Sequence, residues 1–331
     1  MKLLQRWFGQ PRAVRRWALA SLIANVGIVV TGGAVRLTDS GLGCAQWPKC
    51  TEDSLVATQA MGIHGAIEFG NRMLTWVLVV LAVGALLAAW MRTPRRSSLV
   101  KLSLGVLCFV PAQAVIGGIT VWSDLNPWVV GLHFLASIVI LVFTTALYFR
   151  SGEPDGPTVP LVPGAVGTLA KAVAAVAFAV IVLGVMVTGS GPHAGDPDSP
   201  RNGLDPEFAA QLHADGVWLL IGLSVAMVAA VHAVGAPERA KRAAYVLLGV
   251  ELLQGAIGYM QYYLGLPELI VGLHMLGASL LWVSALSVPF TLRKRTPLET
   301  APHLIVVGDE ATDETDAPEP ATAEPEIAAT N

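Results

Sequence analysis

The sequence predicts an all-α integral membrane protein of eight transmembrane helices, arranged as two tandem four-helix bundles that are parallel repeats of each other. Three observations carry this. The 331 residues are 54% hydrophobic and 14% charged, with a mean hydropathy of +0.60, too apolar for a soluble domain of this length. Apolar runs of about 20 residues, enough to cross a bilayer, fall at 17–35, 73–91, 102–122, 128–149, 169–188, 214–235, 243–263 and 269–290. One stretch occurs twice: Gln113 to Leu135 reads QAVIGGITVWSDLNPWVVGLHFL and Gln254 to Leu276 reads QGAIGYMQYYLGLPELIVGLHML, with glutamine and histidine at one separation and Val-Gly-Leu-His intact.

Taken in order, the chain opens with a basic segment, 1–16, expected in the cytoplasm. Span one has no small-residue cleavage site and runs into Thr31-Gly32-Gly33, so it reads as a retained helix and not as a signal peptide. Basic residues set the orientation. Lys2, Arg6, Arg12, Arg15 and Arg16 precede span one, Arg92, Arg95, Arg96 and Lys101 join spans two and three, Arg239, Lys241 and Arg242 join six and seven, and Arg293 to Arg295 follow span eight. Both termini are therefore expected in the cytoplasm, with the first repeat at 17–150, a Gly- and Pro-rich linker at 151–168 and the second repeat at 169–292. The remainder, 293–331, is rich in Pro, Ala, Glu, Asp and Thr after Thr296 and is expected to be disordered. A net charge of −3 reflects that acidic tail and gives no case for a nucleic-acid partner.

Span one leads into an outer loop, TGGAVRLTDSGLGCAQWPKC, that holds Cys44 and Cys50. On the oxidising side of the membrane a bridge between them persists, and five intervening residues close one if the loop turns back. Two free thiols are the alternative. Cys108, inside span three, reads as a small apolar side chain. The entry to span two, MGIHGAIEFGNRMLTW, places His64, Glu68, Asn71 and Thr75 on one helix face with Arg72 at its edge. A carboxylate this near hydrocarbon needs a cation, and Arg72 at i+4 is one, but Glu68 also reads as a proton handler.

His133 and His274 are repeat mates. His213 enters span six as Asn71 enters span two: 62 residues separate Asn71 from His133 and 61 separate His213 from His274. Thus the second copy has two histidines where the first has an asparagine and a histidine. Intramembrane histidines are rare and functional by default, and two histidines on neighbouring helices of a bundle suit the axial positions of a haem iron. Ala136 and Ser137 after His133, and Gly277 and Ala278 after His274, supply small side chains on the ligand face. Zinc competes less well, since no Cys or carboxylate cluster completes a tetrahedral set. His193, His232 and His303 read as ordinary polar residues.

The cysteine loop, the EFGNR entry, the QxxxG and GLH pairs and the duplicated eight-span layout resemble the haem A synthase family over about residues 12 to 292. That family oxidises the C8 methyl group of haem O to the formyl group of haem A for cytochrome oxidase. Its span-two motif commonly reads Glu-x-x-His-Arg, with the Glu catalytic and the His a haem ligand. Here Glu68-Phe-Gly-Asn71-Arg72 departs from it, in an actinobacterial-like variant. The resemblance implies Glu68 as catalytic, His213 and His274 as axial ligands of a resident haem b, His133 as a ligand of substrate haem O, and a Cys44–Cys50 disulfide. His64 or Asn71 stands in for the missing first-copy histidine, and Arg36 and Arg72 are candidates for the haem propionates.

The expected partners are haem O and the haem O synthase that supplies it, a quinone or other electron-transfer partner, the lipid bilayer and a second copy of the chain. The expected location is the plasma membrane. A dihaem b-type cytochrome that transfers electrons from quinol without modifying haem is the alternative; it needs the histidines but neither Glu68 nor the cysteine loop. A transporter also uses repeats, but Pro-broken helices with charges at the membrane midplane are not apparent.

Overall fold

The computed structural model describes residues 8–298. Residues 1–7 and 299–331, with His303 and the expected disordered tail, lie outside the described residues. The fold is all-α, with eight helices each long and apolar enough to cross a membrane: α1 (Pro11–Leu37), α2 (Gly62–Met91), α3 (Ser97–Trp122), α4 (Pro127–Ser151), α5 (Gly164–Ser190), α6 (Pro206–Ala233), α7 (Glu238–Tyr263) and α8 (Glu268–Thr291). The chain is a multi-pass membrane protein.

Each helix begins before the apolar span that predicts it, and α6 ends at Ala233, two residues short of its span. Hydropathy marks only the part that sits in hydrocarbon, whereas backbone hydrogen bonding continues into the polar turns. The difference matters at α2 and α6, which begin at Gly62 and Pro206, so that His64, Glu68, Asn71 and His213 all stand on helix. Local signals fix where α4 and α6 start. Asn126 caps α4 by accepting from the Trp128 N–H at 3.1 Å, Asp205 caps α6 by accepting from the Phe208 N–H at 2.7 Å, and proline follows each cap. Equivalent caps set His133 and His213 at equivalent depths.

Helices α1 to α4 form one bundle, α1 closing against α4, and α5 to α8 form the second, α5 closing against α8. The bundles meet along α1, α4, α5 and α8. Packing there depends on small residues that let backbones approach, as expected where lipid supplies no hydrophobic drive between helices. A Cβ on Gly131 would meet Val185 at 2.7 Å, and one on Gly33 would meet Met275 at 2.7 Å. The Trp282 indole donates to the Ile138 carbonyl at 2.9 Å in the same seam. Within the first bundle, Ala13, Ala18, Ala85, Ala88 and Ala89 form a buried small-residue contact.

At the face opposite the cysteine loop, the linker is more ordered than its composition suggests. Thr158–Pro160 pairs antiparallel with Arg293–Arg295. Glu153 and Asp155 tie this strap down: Arg92 reaches Asp155 at 2.9 Å, Arg96 reaches Glu153 at 3.3 Å, and Arg293 reaches Glu153 at 3.0 Å. The start of the expected tail, at 293–295, is thus part of the folded unit. Two further features differ from expectation. Helix α3 runs through Pro111, and Glu251 lies buried halfway along α7.

Candidate functional site

Asn71, His133, His213 and His274 lie nine, six, seven and six residues into α2, α4, α6 and α8. At 1.5 Å per residue this is about 9 to 14 Å from the cysteine-loop ends of the helices. Each histidine ring lies against a glycine of the preceding helix. A Cβ on Gly117 would stand 3.2 Å from Cε1 of His133, one on Gly184 3.2 Å from Cε1 of His213, and one on Gly258 3.4 Å from Cε1 of His274. Gly117 and Gly258 are the glycines of the two QxxxG motifs.

The fourth position breaks the pattern. Aligning 27-GIVVTG with 184-GVMVTG makes Gly27 the mate of Gly184, and nothing lies within 4 Å of a Cβ built on Gly27. Asn71 turns elsewhere, accepting a hydrogen bond from Thr31 Oγ1 at 2.7 Å. The second bundle therefore presents two imidazoles, and the first presents one imidazole opposite an open glycine.

The Nδ1–H of His213 donates to the Val180 carbonyl at 3.0 Å, which leaves Nε2 with the lone pair a metal needs. Nδ1 of His133 and Nδ1 of His274 are buried without a partner. These features fit a haem: one or two imidazoles suffice, seated against glycines. No group of three His, Cys, Asp or Glu side chains that would suit a bare metal ion occurs among the described residues.

The glutamines of the repeat brace the histidine helices. Gln113 donates to Ser137 Oγ at 2.6 Å and to the His133 carbonyl at 3.3 Å. A Cβ on Gly277 would overlap the amide of Gln254. The small residues Ser137 and Gly277 therefore admit a neighbouring glutamine; the room beside the rings comes from the glycines of the preceding helices, of which Gly117 and Gly258 belong to the QxxxG motifs and Gly184 to neither.

A lid covers the first bundle. Cys44 and Cys50 form a disulfide with their Cα atoms 4.4 Å apart. Trp47 lies against Gly118, its ring edge-on to Trp122 at 5.2 Å, and the Trp122 indole donates to the Trp47 carbonyl at 3.2 Å. The paired glycines of the first copy thus have separate tasks: Gly117 receives His133 and Gly118 receives the lid. Glu68 is buried beneath this loop. Its Oε2 accepts from the Cys44 N–H at 2.5 Å and its Oε1 accepts from Arg72. Arg72 also donates to the carbonyls of Cys44, Gln46 and Lys49, so its guanidinium is committed to protein oxygens. Peptide mapping of unreduced protein from an oxidising envelope should return a linked Cys44–Cys50 peptide, and recovery of both as alkylated thiols would contradict the lid.

His64 is exposed and pairs with Ser40 Oγ at 3.0 Å, within the lid's margin. Arg36 donates to the carbonyls of His193 and Thr188, linking α1 to the last turn of α5 and the loop after it. The His193 ring donates to the Leu266 carbonyl at 2.8 Å, tying the loop after α5 to the turn between α7 and α8, His232 bonds the Val228 carbonyl one turn back, and Cys108 faces outward from α3.

Residues 15–195, more than half of the chain, match the family described as cytochrome oxidase assembly protein. That stretch covers the first bundle, its lid and α5, and ends before His213. Among similar proteins, the haem A synthase of Halalkalibacterium halodurans is 29% identical over 181 residues, 53% of this chain and 59% of that one. The haem A synthase of Symbiobacterium thermophilum is 28% identical over 185 residues, covering 53% and 59%, and that of Listeria welshimeri 29% over 141 residues, covering 42% and 46%. The chain thus spans about half the length of the curated relatives it matches. With the eight-helix duplicated fold, the bridged loop and a match through the whole first bundle, the chain belongs to the haem A synthase family of cytochrome oxidase assembly proteins, COX15-CtaA.

Proposed function

We propose that this protein is a haem A synthase, oxidising the C8 methyl group of haem O to a formyl group with a resident haem b as redox cofactor. The observation that carries the reading is the difference between its two bundles. One has paired histidines seated on Gly184 and Gly258; the other has a single histidine, an open Gly27 and, under a bridged lid, the carboxylate of Glu68.

In this reading His213 and His274 would hold haem b, with the Val180 carbonyl fixing the His213 tautomer. Haem b supplies one-electron redox chemistry that side chains lack. His133 holds substrate haem O from one side, and Asn71, drawn to Thr31, leaves the other face free. One-sided ligation suits a group that must leave as product. Trp47 and the Cys44–Cys50 loop exclude water. With water as the oxygen source, converting methyl to formyl releases protons together with the electrons that the carrier removes, and Glu68 is the group that receives those protons, since Oε2 takes one backbone N–H and keeps a second lone pair. Ala210 stands at the equivalent place in the second bundle, where no such chemistry is required.

The basic residues at the strap face support an orientation with that face and both termini in the cytoplasm and the lid outside the plasma membrane. The haem O synthase is the source of substrate, and a quinone or another electron carrier takes the electrons. Expressing the protein with a haem O supply and extracting its haems tests the proposal. Haem A should appear beside haem b. Haem b with unchanged haem O would leave a dihaem cytochrome instead.

A further inference from the structure

We propose that Glu251 is a redox-linked proton site of the second bundle: it binds a proton from water when the haem held by His213 and His274 gains an electron, and releases it when that electron leaves. This rests on the reading of the second bundle as a haem b site.

Glu251 sits 13 residues into the 26-residue helix α7, at the middle of the membrane span, and is only 1% exposed. Its Oε1 accepts from Ser224 Oγ of α6 at 2.8 Å, while Oε2 is buried with no partner. A carboxylate at this depth with one neutral donor is costly to keep ionised, and intramembrane carboxylates mark function by default. The duplication supplies the comparison. The repeat mates of Ser224 and Glu251 are Ala82 and Val110, which pack together in one apolar cluster of the first bundle. The fold therefore needs no polar pair at this level. The second bundle has one where the first has aliphatic contact.

Register places the pair toward the redox site. Glu251 precedes Gly258, which touches His274, by seven residues, so both lie on one face of α7 about 10 Å apart along the axis. Ser224 follows His213 by eleven residues, again on one face. On α6 and α8, the helices packed against α7, the titratable groups turned inward are His213 and His274. Glu207, Asp215, His232 and Glu268 on those helices are exposed. No inward Lys or Arg on these helices neutralises Glu251, so its charge state answers to the charge at the iron. For charges separated by about 10 Å at an effective dielectric of about 20, one electron corresponds to roughly a tenfold change in proton affinity.

The reaction balances simply: a one-electron donor reduces ferric to ferrous iron, and a proton from solvent forms the O–H bond at Oε2. A bare interhelical hydrogen bond between α6 and α7 is the competing role. Glu251→Gln separates the two, because its amide oxygen still accepts from Ser224 but takes no proton. Glu251→Val with Ser224→Ala copies the first-bundle pair and removes the group without leaving a polar orphan.

The test is mediated redox titration of the haem absorbance in the purified full chain at several pH values. The wild-type midpoint potential should fall as pH rises through part of the range, and both variants should be flat there. Reduced-minus-oxidised infrared spectra should show a protonated-carboxyl band in wild type that Glu251→Gln lacks. A wild-type potential independent of pH, or equal slopes in wild type and Glu251→Gln, overturns the proposal while leaving the haem site intact. Absence of haem b from wild-type protein overturns the site reading itself, and the proposal with it.

Discussion

Glu68→Gln is expected to yield folded protein with its haem b and its disulfide, yet to lower haem A formation by about 100-fold or more, the scale of a lost general base. The two oxygens of Glu68 have different partners. Oε1 is occupied by Arg72, and Oε2 by the single N–H of Cys44. A glutamine oxygen keeps one of these contacts and loses the proton-accepting oxygen. If Glu68 only fastens the lid, the variant should instead lose the lid: the loop that Arg72 holds through Cys44, Gln46 and Lys49 would become open to protease, and the yield of folded protein would drop. Extracted haem from equal amounts of folded protein distinguishes these. Accumulated haem O or a partly oxidised alcohol supports the proton role, and wild-type haem A output refutes it.

Asn71→His should act in the opposite sense, by making the first bundle like the second. His213 seats its ring at 3.2 Å from a Cβ position on Gly184, and the mate Gly27 stands open. A histidine at 71 would have that seat available and would supply a second axial imidazole. Changes to outer-shell partners alone move metal affinity by about 10- to 100-fold, so a whole added ligand should retain substrate haem at least as strongly. Purified Asn71→His is expected to carry a second low-spin haem and to turn over about tenfold more slowly, since product leaves late. An unchanged haem content would mean that Gly27 does not mark a vacant ligand seat.

Much of this was legible in the sequence. Eight spans, the repeat, the three aligned histidines and the cysteine pair all follow from hydropathy, spacing and compartment, each a property of contiguous residues. What stayed hidden depends on contacts between distant segments. Thr31 captures Asn71 from 40 positions away, and no periodicity announces it. The glycines at 117, 184 and 258 look like ordinary membrane-helix glycines until the facing ring is placed. The strap pairs two three-residue strands from opposite ends of the second repeat, each too short for an alternating pattern. Glu251 reads as one tolerated charge in an apolar run. Its meaning comes from Ser224 on another helix and from the aliphatic pair that replaces both in the first copy.

A haem inventory of three variants decides whether the two bundles divide the labour. His133→Ala, His213→Ala and His274→Ala would be purified after growth with a haem O supply, and their extracted haems and reduced spectra compared with wild type. His213→Ala and His274→Ala are each expected to lose the low-spin haem b signal, whereas His133→Ala should keep haem b and lose bound haem O and haem A. An intact haem b signal in both second-bundle variants, or its loss in His133→Ala, would contradict that division.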